Sequence, residues 1–206
     1  MGDDSNRNTT QPGVAMQATQ ADLTRILLLE DDEDKFEQRL VRVLRVRVHK
    51  FIPHAWFNGA SVECGNLFRD GHFYGCICLS QSVAEGLAKF VLEAHGDKKS
   101  ARGKRLIDKL KKLKARARNE QVMSRRCLEA FERIAGSDRN DFHHLNETVI
   151  TDRGKLEKRA EECVMALYDI ESELFGYDIS DGRLVPHDPK YWPQDGEFLR
   201  VHLRSY

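Results

Sequence analysis

The sequence predicts an all-α fold, and three observations predict it. Large apolar residues recur at three- and four-residue intervals through most of the 206-residue chain, the spacing that gathers them on one face of a helix. The most apolar segment, Gly71 to His95, carries Phe73, Tyr74, Ile77, Leu79, Val83, Ala84, Leu87, Phe90 and Val91 around nearly its whole circumference, as a helix at the centre of a bundle must. Period-two alternation, the mark of strands, is confined to short stretches such as Phe198-Leu199-Arg200-Val201-His202-Leu203.

Taken in order, residues 1–20 are rich in Gln, Thr, Asn and Gly and poor in large apolar groups, which predicts a disordered tail. From Asp22 to about Phe51, Leu23, Ile26, Leu27, Phe36, Leu40, Val43 and Leu44 keep helical spacing. The end of that helix is ambiguous, because Val41 and Val43, then Val46 and Val48, alternate. The run Ile26-Leu27-Leu28-Leu29-Glu30-Asp31-Asp32 resembles the opening strand and acidic pair of a phosphoacceptor receiver domain. That fold requires alternating strands and helices downstream, and the chain has none. Pro53, Asn58-Gly59 and Gly65 then predict a loop or short helices, making residues 21–70 a helical extension to a core over 71–176. Within the central helix Gln81 and Glu85 stand one turn apart, and buried polar groups of this kind pair across helices or support a site.

Residues 98–118 hold eleven Lys and Arg and one acid, with Leu106, Ile107, Leu110 and Leu113 as an apolar stripe. They predict an amphipathic helix with a cationic outer face. Lys104, Arg105, Lys109, Lys112 and Arg116 are the candidate contacts to a phosphate backbone, and the alternative is a merely solvated face. A narrow stripe without aromatics argues against a membrane surface. A further helix covers about Gln121 to Ala135 and closes at Gly136; Ser137 or Asp138 caps the next. Gly154 is a candidate interruption before the last long helix, which runs to about Phe175 through Leu156, Ala160, Cys163, Val164, Leu167, Ile170 and Leu174. Residues 177–206 form a tail with a short strand at its end.

Charged residues make up 32% of the chain and cancel to a formal net charge of zero, so any basic surface must be local. No apolar run approaches a transmembrane span, and the N-terminus has no basic-then-apolar leader pattern. Five cysteines, an odd number set mostly among apolar residues, lack metal or redox spacing; Cys76 and Cys78 are separated by one residue. These features predict a cytoplasmic protein with buried free thiols, no metal and no cofactor.

The hexapeptide Arg139-Asn140-Asp141-Phe142-His143-His144 is the most informative motif. It places an arginine, an amide and a histidine in a polar cluster between two apolar helical segments. Histidine gains and loses protons near neutrality, and the arginine fork stays cationic and suits a phosphate. Cleavage of RNA by its own 2′-hydroxyl needs such a base and acid and such an anion clamp, and no metal. On a regular helix Arg139 and His144 lie roughly 140° apart, so they converge only at an open helix end or across two copies of the chain. A looser match, Arg47 and His54, includes Pro53 and falls at a break.

With this motif, and with segments 71–95 and 121–175 as core helices, residues 70–176 resemble the HEPN superfamily (higher eukaryotes and prokaryotes nucleotide-binding). Its ribonucleases carry Arg-x4-6-His with a polar residue after the arginine. The resemblance implies an all-α HEPN-like bundle and a metal-independent endoribonuclease with Arg139 and His144 catalytic and Asn140 supporting. It also implies RNA as substrate, a homodimer, and a toxin–antitoxin or antiviral defence setting with an antitoxin or other defence protein as partner. One toxin subgroup has a modified tyrosine two residues after the histidine; here Asn146 stands there. Some members of the superfamily are non-catalytic modules that bind a nucleotide, RNA or protein, which is the alternative reading.

Overall fold

The computed structural model describes residues 20–47, 51–102, 106–117, 122–136, 139–144, 146–181 and 183–193. The disordered tail expected over 1–20 and the strand expected over 198–203 fall outside these residues, save Gln20, as do the caps Ser137 and Asp138. The described chain is mostly helical: α1 Gln20–Arg45, α2 Ala55–Arg69, α3 Phe73–Ala94, α4 Lys98–Ala101, α5 Leu106–Ala117, α6 Arg125–Ile134, α7 Arg139–His144 and α8 Arg153–Leu174. A hairpin of β1 Tyr177–Ser180 and β2 Arg183–Pro186 and a 3₁₀ turn, Pro189–Tyr191, complete it. The chain divides into two units, residues 1–37 and 38–206. In the first, the described residues are the opening of α1, where Lys35 pairs with Asp31 one turn earlier at 2.5 Å. The second unit holds the end of α1 and every other element.

Helix α3 is the axis of this second unit. Phe73, Cys76, Ile77, Ser80, Gln81, Val83, Ala84, Leu87, Ala88, Val91 and Leu92 are buried in it, and α2, α5, α7 and α8 pack against it. Contrary to the sequence reading, α3 is long and apolar enough to cross a membrane by composition alone; here 56% of its most apolar stretch is buried inside the protein. Its neighbours complete two clusters. One joins α2, α3, α5, α6 and α8 through residues such as Phe57, Leu87, Leu113, Phe131 and Ile170. The other, around Phe68, Phe73, Ile77, Phe142 and Cys163, lies toward the start of α3.

Helix α2 corrects the sequence reading twice. It runs unbroken through Asn58-Gly59 and Gly65, because Phe57, Ser61, Cys64 and Phe68 repeat at four- and three-residue intervals and all are buried. Burial of such a stripe outweighs the roughly 1 kcal/mol that each glycine costs a helix. It also belongs to the same cores as α3, so the boundary drawn at residue 70 cuts through one hydrophobic cluster. Gly154 does not interrupt α8 either: it lies in the first turn, which the Asp152 carboxylate caps by accepting from the Lys155 amide at 2.8 Å. Of the polar pair in α3, Glu85 accepts from Lys109 of α5 at 3.0 Å, whereas the Gln81 amide is fully buried without a hydrogen-bond partner.

The 3₁₀ turn is sewn back onto the helices. Tyr191 Oη donates to the Val122 carbonyl at 3.1 Å and meets His95 Nε2 at 3.0 Å, while His54 Nε2 meets the Tyr191 carbonyl at 2.9 Å. The His54 ring lies among Trp56, Phe57, Phe90 and Phe175, with centroids 4.8 to 6.1 Å away. Trp192 stacks on Phe51. The tail residues Tyr191 and Trp192 are therefore core residues, at 3% exposure each.

Burial among these rings holds the His54 imidazole below its ordinary pKa, against a smaller opposing effect of the Tyr191 carbonyl. A base whose folded pKa is depressed binds protons more tightly when unfolded. Its contribution is therefore intact above the unfolded value of about 6.5 and is lost as pH falls below it. Urea melts should show declining stability from about pH 7 to pH 5, and His54→Phe should flatten that slope. An unchanged slope in the variant would remove His54 from the explanation.

Candidate functional site

The six-residue helix α7 is held on the bundle by its one apolar residue. Phe142 is 3% exposed in the cluster toward the start of α3, with its ring edge-on to Tyr74 at 5.8 Å. Tyr74 Oη donates to the Ile150 carbonyl at 2.7 Å, so one tyrosine in the first turn of α3 touches both α7 and the strand of chain beyond it. Asn146 closes α7 from the other end: its backbone amide donates to the Asp141 carbonyl at 3.2 Å and its side-chain amide to the Asp141 carboxylate at 3.0 Å. Upstream, Arg159 of α8 donates to the Arg133 and Ile134 carbonyls at 2.8 and 3.4 Å, satisfying the end of α6 just before the chain turns toward α7.

With Phe142 turned inward, His144 is exposed to solvent. The structure describes the backbone of Arg139, Asn140 and His143 but not their side chains, so the convergence of Arg139 with His144 lies outside the described atoms. The backbone is helical from Arg139 to His144, which keeps the angle between the two near 140°. In the looser pair, Arg47 lies beyond the end of α1 with its backbone amide on Met165 Sδ, and His54 Nε2 meets the Tyr191 carbonyl.

Sequence reasoning missed the arginines that gather at the start of α3, the end of that helix on which Phe142 packs. At the start of α3, Arg42 and Arg153 place their guanidiniums on Phe73, each 5.1 Å from the ring centroid. Arg42 donates to the Arg69 carbonyl at 3.2 Å and Arg153 to the Gly71 carbonyl at 3.4 Å. Gly71 has φ +80°, and a Cβ there would meet Arg153 Nη2 at 2.9 Å. His72, Tyr74 and Arg153 are exposed at this end of the bundle. No spacing in the sequence links them to the hexapeptide; only the packing of Phe142 on Tyr74 does.

The basic segment is not one helix but α4 and α5, and Lys104 and Arg105 between them lie outside the described residues. Lys109 faces inward, 3% exposed and paired with Glu85, because it shares the i, i+3, i+4 face with Leu106, Leu110 and Leu113. Ile107, assigned to the stripe, is 48% exposed instead. Arg116 stands 3.9 Å from Asp97, and Lys114 pairs with Glu132. Lys111 and Lys112 face solvent. Glu85 and Tyr74 are eleven residues apart on α3, so Lys109 and α7 meet that helix roughly 16 Å apart.

The thiols are buried apart from Cys78, and burial pushes Cys64 up to about 12, with Cys76 and Cys127 also raised. Neutral thiols of this kind are packing groups, not nucleophiles. Among the described residues no three His, Cys, Asp or Glu stand together as metal ligands. No protein family, no curated protein and no solved structure matches the chain.

The inward turn of Lys109 separates it from its neighbours in a melting experiment. Lys109→Glu sets two carboxylates together at a buried position and should cost about 3 kcal/mol. Lys112→Glu, on the outer face, should stay within about 0.5 kcal/mol of wild type. Equal melting temperatures for the two variants would contradict the Lys109–Glu85 pair.

Proposed function

We propose that the chain is a HEPN-type, metal-independent endoribonuclease with Arg139 and His144 as its catalytic pair and Asn140 in support. The observation that carries this reading is α7 itself. The Arg-x4-His segment is helical, is pinned by Phe142, and leaves His144 in solvent. An exposed imidazole on a fixed short helix is free to take the 2′-hydroxyl proton or to protonate the leaving 5′-oxygen. Arg139 then stabilises the charge that gathers on the phosphate oxygens. Because Arg139 and His144 diverge on the helix, the reading calls for a homodimer in which two motifs complete one another. RNA is the substrate, the cytoplasm the location, and a toxin–antitoxin or antiviral system with an antitoxin or other defence protein the setting.

A second reading has its own support. Lys109, Lys114 and Arg116 are occupied by Glu85, Glu132 and Asp97, and Lys109 meets α3 well away from α7. That arrangement favours a non-catalytic HEPN-like module binding a nucleotide, RNA or protein, in which α7 is a contact surface and not a cutting site.

RNA digestion in EDTA separates them. His144→Ala and Arg139→Ala should each lower cleavage by about 10²- to 10⁴-fold while leaving RNA binding largely intact. Asn140→Ala should be milder, His143→Ala should retain most activity, and products should end in 2′,3′-cyclic phosphate. A dead His143 variant beside an active His144 variant would overturn the assignment. Wild-type protein that binds RNA and never cuts it would leave the binding module.

A further inference from the structure

Helix α1 is built inside out. In its last two turns Arg42 is 6% exposed, with its guanidinium over Phe73, 3.3 Å from Glu157 and on the Arg69 carbonyl. Arg39 pairs with Asp70 at 3.1 Å, and Arg45 with Glu157 at 2.9 Å and with Glu161. The face turned toward the bundle is thus made of arginines. Leu40 and Leu44 lie roughly 160° round the helix from Arg42. They are 42% and 76% exposed, and Val41 and Val43 are exposed beside them. An amphipathic helix serving only its own bundle is patterned the other way.

The outward residues are regular. Leu29, Glu33, Phe36, Leu40 and Val43 succeed one another at alternating intervals of four and three, and in the sequence Ile26 extends the spacing. Leu29 and Phe36 are exposed as well. This is the repeat with which one helix packs knobs into the holes of another. Residues 1–19 hold no repeat of large apolar residues with which to cover it.

Charge selects the partner and its direction. Residues 30–34 are Glu-Asp-Asp-Glu-Asp, and the basic residues Lys35, Arg39, Arg42 and Arg45 come after them. A parallel second copy would lay five acids against five acids. An antiparallel copy, related by a two-fold axis between residues 34 and 35, lays the acidic stretch along residues 35–39 instead, with Lys35 the exposed cation there, and brings Leu29 against Leu40 of the second copy. We propose that the outward face of α1 is the seam of an antiparallel pair formed with α1 of a second copy of this chain. This inference does not rest on the ribonuclease reading, and a chain that never cuts RNA leaves it untouched.

Sedimentation of the full chain at micromolar concentration tests it. Wild type should sediment as a dimer, and Leu40→Glu with Leu44→Glu should lower the mass about two-fold with unchanged helix signal. Should that variant unfold, Leu40→Gln with Leu44→Gln gives the same readout. Mild oxidation fixes the direction: Leu29→Cys protein mixed with Leu40→Cys protein should form a mixed disulfide, and Leu29→Cys alone should not. A monomeric wild type, or a dimer indifferent to Leu40 and Leu44, overturns the proposal. So does self-crosslinking of Leu29→Cys. A monomer that dimerises only when residues 194–206 are removed would give the seam to the chain's own C-terminal segment, and overturns it too.

Discussion

Helix α3 is apolar over most of its circumference and turns only a narrow line, through Gly75, Ser82, Lys89 and Glu93, to water, so the chain must supply protein on its other sides. Helices α2 and α8 cover two sides, α5 a third, and α7 the start. Each element is placed by what it contributes to that enclosure: Phe57 and Phe68 from α2, Leu110 and Leu113 from α5, Phe142 from α7, and Cys163, Leu167 and Ile170 from α8. The small residues Ala84 and Ala88 are fully buried in α3, and Gly86 lets the Phe57 ring approach within 3.1 Å of where a Cβ would stand. The enclosure also costs something, since the Gln81 amide is shut away without a hydrogen-bond partner, a penalty of about 1–3 kcal/mol.

The same constraint links fold to site. Helix α7 is too short to be stable alone. Its geometry therefore depends on the burial of Phe142 beside Tyr74 and on the Asn146 bonds to Asp141, and these turn His144 to solvent. At this end Arg42 and Arg153 engage backbone carbonyls and the Phe73 ring, and Arg42 also pairs with Glu157.

The helical class was legible because hydrophobic periodicity survives in almost every segment. The features that went unread have physical reasons. The breaks expected at Asn58-Gly59 and Gly65 are local preferences that lost to tertiary burial of one stripe. Lys109 was counted as a surface cation by its charge, although its spacing to Leu106, Leu110 and Leu113 put it on the buried face. The hairpin was missed although Asp181-Gly182 separates its two strands, a strong turn signal. The short hexapeptide helix was visible from the apolar faces flanking it. Its neighbour Tyr74 was not, because only the folded chain brings residues so distant in sequence together.

Native-state hydrogen exchange tests the enclosure of α3 most directly, residue by residue on the wild-type chain. The amides of Ile77 to Val91 should exchange only through global unfolding, with the full denaturant dependence of the unfolding transition, while those of α7 exchange through a smaller local opening. If the α3 amides exchanged through a local opening while α2 or α8 stayed protected, α3 would not be the axis on which this fold and its candidate site depend.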